Sequence, residues 1–550
     1  MPLSVCGSLK RAILAISIGT FVAAIPATAQ HSKDYNRPFF FPGNLVVSRS
    51  VYDNNPNNVT VGEILPPNCA STQGGCAGPA TYNGTYPFVF NDNLVDGSFG
   101  VTSKMYLDQM FPLFGFVINS LEVPNSSEHG INDGSDQLVT SFSSKSELAL
   151  NLSTDHQYLT FSGYVSPIDQ LDVSNSNTPG AIDRTNPVGE NVYRAEAQVD
   201  QYGNFQFTET NAYSGNNGRA VIWNNSNGDN FFYTSGNAGN GSNPQPDGII
   251  LGAGTQIISP ANERERQQNP GTPTPVGSFN ITELGYKADK IRKDDNFRGL
   301  TIFNNVLYYS KGSGSNGVNT VYFLDTTGMA CPNGVGLPSS SATLPTIPLA
   351  YNIQNLQTQG LPSNMCVLAG FPQIPNKEAT VTAYPFGIWF ANATTVYVAD
   401  EGDGYAGGTD LYTHAAAQTT AGLQKWILNS STNSWNLAYT LQTGLGLGVP
   451  YTVQNYPTGN NVATGLPWAP ATDGLRNITG AVVDGYAAIW GITSTVSGNG
   501  DQGADPNQLV LVVDSVANTD PAVAAKESFF SLRQAGFGEV LRGVSFTPGS

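Results

Sequence analysis

Along this chain, short runs of β-branched and aromatic residues alternate with turns rich in Gly, Asn and Asp, and apolar positions almost never recur at helical spacing. The pattern predicts an all-β protein. Its clearest unit is a strand over 297–303, an Asn304-Asn305 turn, a strand over 306–310 and a Gly/Ser loop. The same hairpin is read at 147–150 with 158–163, 219–223 with 231–236, 386–390 with 396–400 and 479–483 with 488–492. A sixth copy is split, with 542–546 at one end of the chain and 45–48 at the other. Further strand pairs trail the hairpins at 422–428 with 435–440, 193–199 with 204–208 and 509–513 with 529–532, and the split unit takes 88–90 and 100–106.

Four strands per unit make a propeller blade, and a unit shared between the termini seals a ring, because pairing the first and last strands removes an exposed sheet edge. The expected fold is a six-bladed β-propeller closed by N-terminal and C-terminal strands, with seven blades, or a sandwich plus a second β domain, as the alternatives. The long segments 50–80, 112–142, 240–296, 326–380 and 441–475 read as loops, where binding function concentrates.

Residues 1–29 read as a secretory leader: Lys10 and Arg11, an apolar run over 12–24, and Ala27-Thr28-Ala29 as a cleavage site. That predicts a secreted, extracellular monomer whose single domain is 30–550, with no membrane span. The formal charge of -17 opposes binding to nucleic acid or anionic lipid. Basic residues at 264, 266, 287, 290, 292 and 293 are interleaved with acidic ones and read as solvated loop. Beyond the leader lie Cys69, Cys76, Cys331 and Cys366, which allow three pairings. Proximity favours Cys69 with Cys76 and Cys331 with Cys366, and a zinc site lacks any CxxC or nearby His.

Candidate chemistry is sparse. Arg219, Arg298 and Arg542 sit at the start of three inner strands, with Lys311 at the end of a second strand, so they would face one end of a central channel and clamp a carboxylate, phosphate or sulfate. The competing reading has each Arg bonded to carbonyls or to a neighbouring blade. Asp400, Glu401 and Asp403, with Asp410 further on, alternate acidic residues and glycine in the manner of a loop for Ca2+, the one cofactor implied. Of His31, His129, His156 and His414, none stands in a catalytic motif, and His129 beside Glu128 is the best acid/base candidate. Trp223, Trp389 and Trp490 read as blade packing rather than as a sugar platform.

The opening Gly43-Asn44-Leu45-Val46-Val47-Ser48-Arg49 and the closing Arg542-Gly543-Val544 with Pro548 resemble a group of secreted bacterial β-propeller repeat proteins. The resemblance implies the fold and the location and transfers no catalytic residue. Two functional readings follow: a binding protein recognising a glycan, a small anion or a protein partner on its loop-rich face, or a Ca2+-dependent extracellular hydrolase of the phytase or lactonase type.

Overall fold

Alternating apolar and polar residues pair into six small sheets, each too narrow to bury its own faces, so the sheets pack against one another around a common axis. The computed structural model describes residues 37–53, 100–124, 138–180, 182, 188, 190–237, 254–261, 296–312, 318–331, 334–346, 365–461, 464–499 and 503–550. They form a six-bladed β-propeller. Blade 1 contains β1 (Leu45–Val51), β2 (Thr102–Met110), β3 (Val117–Glu122) and the short β4 (Thr140–Ser141). Blade 2 runs β5 (Asn151–Leu152), β6 (Tyr158–Tyr164), β7 (Arg194–Asp200) and β8 (Phe205–Thr210), and blade 3 runs β9 (Gly218–Asn224), β10 (Phe231–Gly236) and β11 (Thr255–Ile258).

Blade 4 joins β12 (Phe297–Phe303), β13 (Val306–Lys311), β14 (Thr320–Leu324), β15 (Val335–Gly336) and β16 (Met365–Leu368). Blade 5 is β17 (Pro385–Asn392), β18 (Thr395–Asp400), β19 (Gly422–Asn429) and β20 (Ser434–Leu441), and blade 6 is β21 (Ala471–Val483), β22 (Tyr486–Val496), β23 (Gln508–Ser515) and β24 (Phe530–Gln534). The final strand, β25 (Glu539–Phe546), returns to blade 1 as its innermost strand. Leu45 lies opposite Phe546 and Val47 opposite Val544, so the ring closes as the split repeat predicts. β25, β5, β9, β12, β17 and β21 succeed one another around the axis, each packed on the next blade.

The terminal motifs are the closing device. Ser48 Oγ accepts from the Gly543 amide at 2.7 Å and donates to the Leu148 carbonyl of blade 2 at 2.8 Å. Arg49 grips Asp108 of β2 and Glu539 of β25, each at 2.7 Å, while Arg533 of blade 6 reaches the same Asp108 at 2.8 Å. Burial pushes the Asp108 carboxyl up, but the two guanidinium groups and Ser120 hold it below the usual carboxylate range. One fully buried carboxylate thus ties β1 to the blade next door, and Arg49 carries the link on to β25 through Glu539.

Three expectations shift. The segment 112–142, expected as loop, carries β3 and β4, and among the described residues β3 is the outer strand of blade 1; its half-exposed residues lack the apolar alternation that marks an inner strand. The inner strand of blade 2 pairs only at Asn151 and Leu152, because Leu148 has φ 61 and breaks the ladder over 147–150. β21 and β22 extend well beyond 479–483 and 488–492, and the added length carries the buried charges Asp473 and Arg476. Among the described residues two short α-helices, α1 (Leu411–Ala417) and α2 (Pro521–Ala524), lie in connections.

Cys331 and Cys366 form a disulfide with Cα atoms 5.9 Å apart. The leader expected at 1–29, Cys69 and Cys76, His31, His129, the strand expected at 88–90 and the basic cluster at 264–293 lie outside the described residues. Among the described residues no helix is long and apolar enough to cross a membrane.

Candidate functional site

Five innermost strands break register at one height. Arg298 and Gly299 together oppose Ser310, Phe386 and Gly387 oppose Ala399, Arg476 and Asn477 oppose Ile492, and Arg542 and Gly543 oppose Ser48; on β9, Arg219 is the single extra residue. These are β-bulges, which turn a side chain out of the ladder. The residue after the Arg is small where the neighbouring blade comes closest: a Cβ on Gly299 would stand 2.1 Å from the Phe386 carbonyl oxygen. The bulges therefore mount arginines around one end of the channel. Antiparallel pairing puts the connections between second and third strands at the same end, including residues 401–421 with α1, which makes it the loop-rich face.

At the centre lies Glu401, which follows directly on β18. Arg476 Nε is 3.2 Å from Glu401 Oε2, Lys145 Nζ is 3.6 Å from the same oxygen, and Arg298 Nη2 is 3.8 Å from Oε1. Burial raises the Glu401 pKa, and Lys145, Arg298 and Arg476 more than reverse it, so the carboxyl is held below its usual value. Burial lowers Arg298, with Glu401 opposing and Arg476 adding to the shift, and burial lowers Arg219 further, with Arg298 as the next cause. Lys145 is also lowered by loss of water, although its side chain stays 32% exposed at the mouth. Two guanidinium groups and an ammonium thus pair with one carboxylate, whose charge also acts on Arg219. Glu147, which also acts on Arg219, spends its oxygens on Thr140, the Ser141 amide, Tyr164 and Asn217.

How each guanidinium is satisfied separates structural arginines from available ones. Arg194, 1% exposed, donates to the carbonyls of Val192, Ser174, Ser176 and Asn216 and to Ser176 Oγ, and it is a blade 2 brace. Arg542 does the same across the ring seam, with Nη1 on the Ser144 carbonyl at 2.6 Å, Nη2 on the Phe142 carbonyl and Nε on Ser50 Oγ at 3.2 Å. Its role is the carbonyl-bonded alternative weighed from the sequence. Arg219 is half satisfied: Nη1 reaches Asn296 Oδ1 and the Phe297 carbonyl, and Nε has no partner. Arg298 is 4% exposed, its Nε is also without a partner, and among the described residues it donates no hydrogen bond; its contacts are the long pair with Glu401 and the Phe386 ring at 5.7 Å.

The remaining sequence candidates fall elsewhere. Lys311 is buried at the same end of the channel and donates to Asn319 Oδ1 at 3.2 Å. Asp400 turns toward the backbone, accepting from the Tyr384 and Gly402 amides and from Gln424, and burial lifts its pKa to about 6. Asp403 pairs with His414 Nε2 at 2.7 Å, and Asp410 precedes α1 and accepts from the Tyr405 hydroxyl. The structure thus brings Glu401 to the arginines, while Asp400, Asp403 and Asp410 each take other partners. Asp473 accepts from the Gly404 amide and Gln418 beneath this loop, and burial lifts it to about 7.

Arg476 and Lys145 escaped the sequence reading. Arg476 carries the signal in hindsight, since Arg476-Asn477-Ile478 repeats Arg298-Gly299-Leu300 with Asn for Gly, while Lys145 lies before a strand too irregular to align. Two residues past the bulges, Leu300, Ile388, Ile478 and Val544, with Leu150 of blade 2 beside Gly543, form an apolar collar. Beyond the collar the channel opens at its other end into a cavity of about 950 Å3 lined by all six innermost strands. No protein-family model matches the chain, and no curated protein matches it either, so the site is read from its own geometry.

Proposed function

We propose that the chain is a secreted binding propeller that takes a small oxyanion, such as sulfate or phosphate or a ligand bearing one, between Arg219, Arg298, Arg476 and Lys145. The observation that carries the reading is Arg298, a buried guanidinium that donates no hydrogen bond among the described residues. Its long pair with Glu401 leaves Nε dry and without a hydrogen bond, and leaving such a charged donor unsatisfied costs about 1–3 kcal/mol or more. A bound oxyanion supplies the missing acceptors and offsets the surplus positive charge around Glu401 in one step. Arg194, in the same chain, marks the contrast: a purely structural buried arginine here has its donors fully engaged. The leader-like residues 1–29 and the Cys331–Cys366 disulfide support export to an oxidising compartment.

Calorimetric titration with sulfate at constant ionic strength, with acetate and phosphate alongside, tests the assignment. Wild-type chain binds sulfate, and Arg298→Gln weakens binding roughly tenfold or more, the scale of a charge-assisted hydrogen bond to a buried group. Undiminished binding in Arg298→Gln, or no binding of any of the three anions to the wild type, overturns it.

A further inference from the structure

The opposite end of the channel has a different chemistry, and the geometry points to a second binding site there, for a neutral saccharide. The cavity of about 950 Å3 is of the size that takes a small-molecule or oligosaccharide ligand, and its described lining includes Leu150, Ile388, Ile478 and Val544 of the collar but none of the arginines. One residue past that collar stand Asn151, Thr301, Trp389, Thr479 and Ser545, all lining the cavity. The hydroxyls of Thr301, Thr479 and Ser545 have no protein partner among the described residues, although Ser545 is only 5% exposed.

The lining is close to neutral. Its titratable residues are Asp229, which accepts from Asn224, and His156, which meets the Ser550 carbonyl. Among the described residues no Lys or Arg lines it, so it lacks the permanent cations that mark the other end. An apolar ligand would dry the three hydroxyls without replacing their water partners, a cost of about 1–3 kcal/mol for each. A sugar suits both demands, because its hydroxyls donate and accept while its C–H faces pack on the partly exposed Trp389 and the collar. The hairpin turn Asn304-Asn305 adds two exposed amides at the rim.

The test is an array of neutral gluco-, manno-, galacto- and xylo-oligosaccharides, followed by calorimetry with the strongest binder. A neutral oligosaccharide binds with little dependence on salt, Thr301→Val and Thr479→Val each weaken it about fivefold or more, and Arg298→Gln leaves it unchanged. Where a valine variant melts abnormally, Ser545→Cys labelled by an uncharged maleimide provides the second measurement: the saccharide slows labelling. The proposal is overturned if no neutral oligosaccharide binds, if folded valine variants bind undiminished, if the label is not slowed, or if only acidic sugars bind and Arg298→Gln abolishes that binding. The last outcome would leave the oxyanion site standing alone.

Discussion

The two ends of one channel are built by the same six strands a few residues apart, yet one is charged and crowded and the other neutral and open. At the crowded end the ladder is broken: bulges at Arg219, Arg298, Arg476 and Arg542 free side chains from strict alternation and aim them inward. At the open end Thr301, Thr479 and Ser545 lie beyond the bulges of their strands and reach the cavity by ordinary register. Placing a long cation on the axis of a propeller takes a local fault in the sheet, whereas placing a hydroxyl takes none. Between the two chemistries the inner strands carry apolar residues, Leu150, Leu300, Ile388, Ile478 and Val544.

The comparison breaks most sharply at Glu401. Glu401→Gln removes the carboxylate that pairs with Lys145, Arg298 and Arg476, and it is expected to destabilise the fold by about 3–5 kcal/mol in denaturant titration, since it leaves buried cations without their ion-pair partner. Added sulfate should restore part of that loss by mass action, more than it stabilises wild type. Failure of sulfate to restore it would mean the charge surplus is not a binding site.

A smaller effect comes from pH. Burial raises Asp473 from 3.8 to about 7. Its folded pKa lies above the unfolded one, so the stabilising contribution of the protonated form is complete below about pH 4 and is lost as pH rises through 7. For the site, lowering pH from 8 to 6 removes a negative charge that acts on Lys145, so sulfate affinity is expected to rise several-fold, on the order of 1 kcal/mol. Asp473→Asn should flatten that profile, and a profile as steep as the parent's would assign the effect elsewhere.

The smallest effect belongs to the open end. Thr301→Val and Thr479→Val remove hydroxyls that hold nothing in the protein, so the melting midpoint should move by less than about 1 kcal/mol of stability. A loss as large as that of Glu401→Gln would give these residues a structural role and remove the contrast between the ends.

Much of this architecture was legible because it is local. Phe297–Phe303, Asn304-Asn305 and Val306–Lys311 carry their strands and turn in consecutive residues, with Asn304 and Asn305 at φ 49 and 59 as a tight hairpin demands. Arg219, Arg298 and Arg542 stood out because each occupies the same place at the entry to an inner strand. Glu401 was grouped with Asp400 and Asp403 because adjacent acids in a glycine loop look alike in sequence. β3 stayed hidden because an outer strand with a mostly half-exposed surface shows no alternation.

By itself, then, the sequence determined the all-β class, the six repeated hairpins and the seam between its two ends, since side-chain period and turn chemistry act over a few residues. Only the tertiary structure decided that Lys145, Arg298, Glu401 and Arg476, from four different blades, meet at one point, and that Arg542 is consumed by carbonyls while Arg298 is left with donors to spare. Which charges become partners depends on how the blades close around the axis and exclude water, and that is a property of the whole ring rather than of any segment within it.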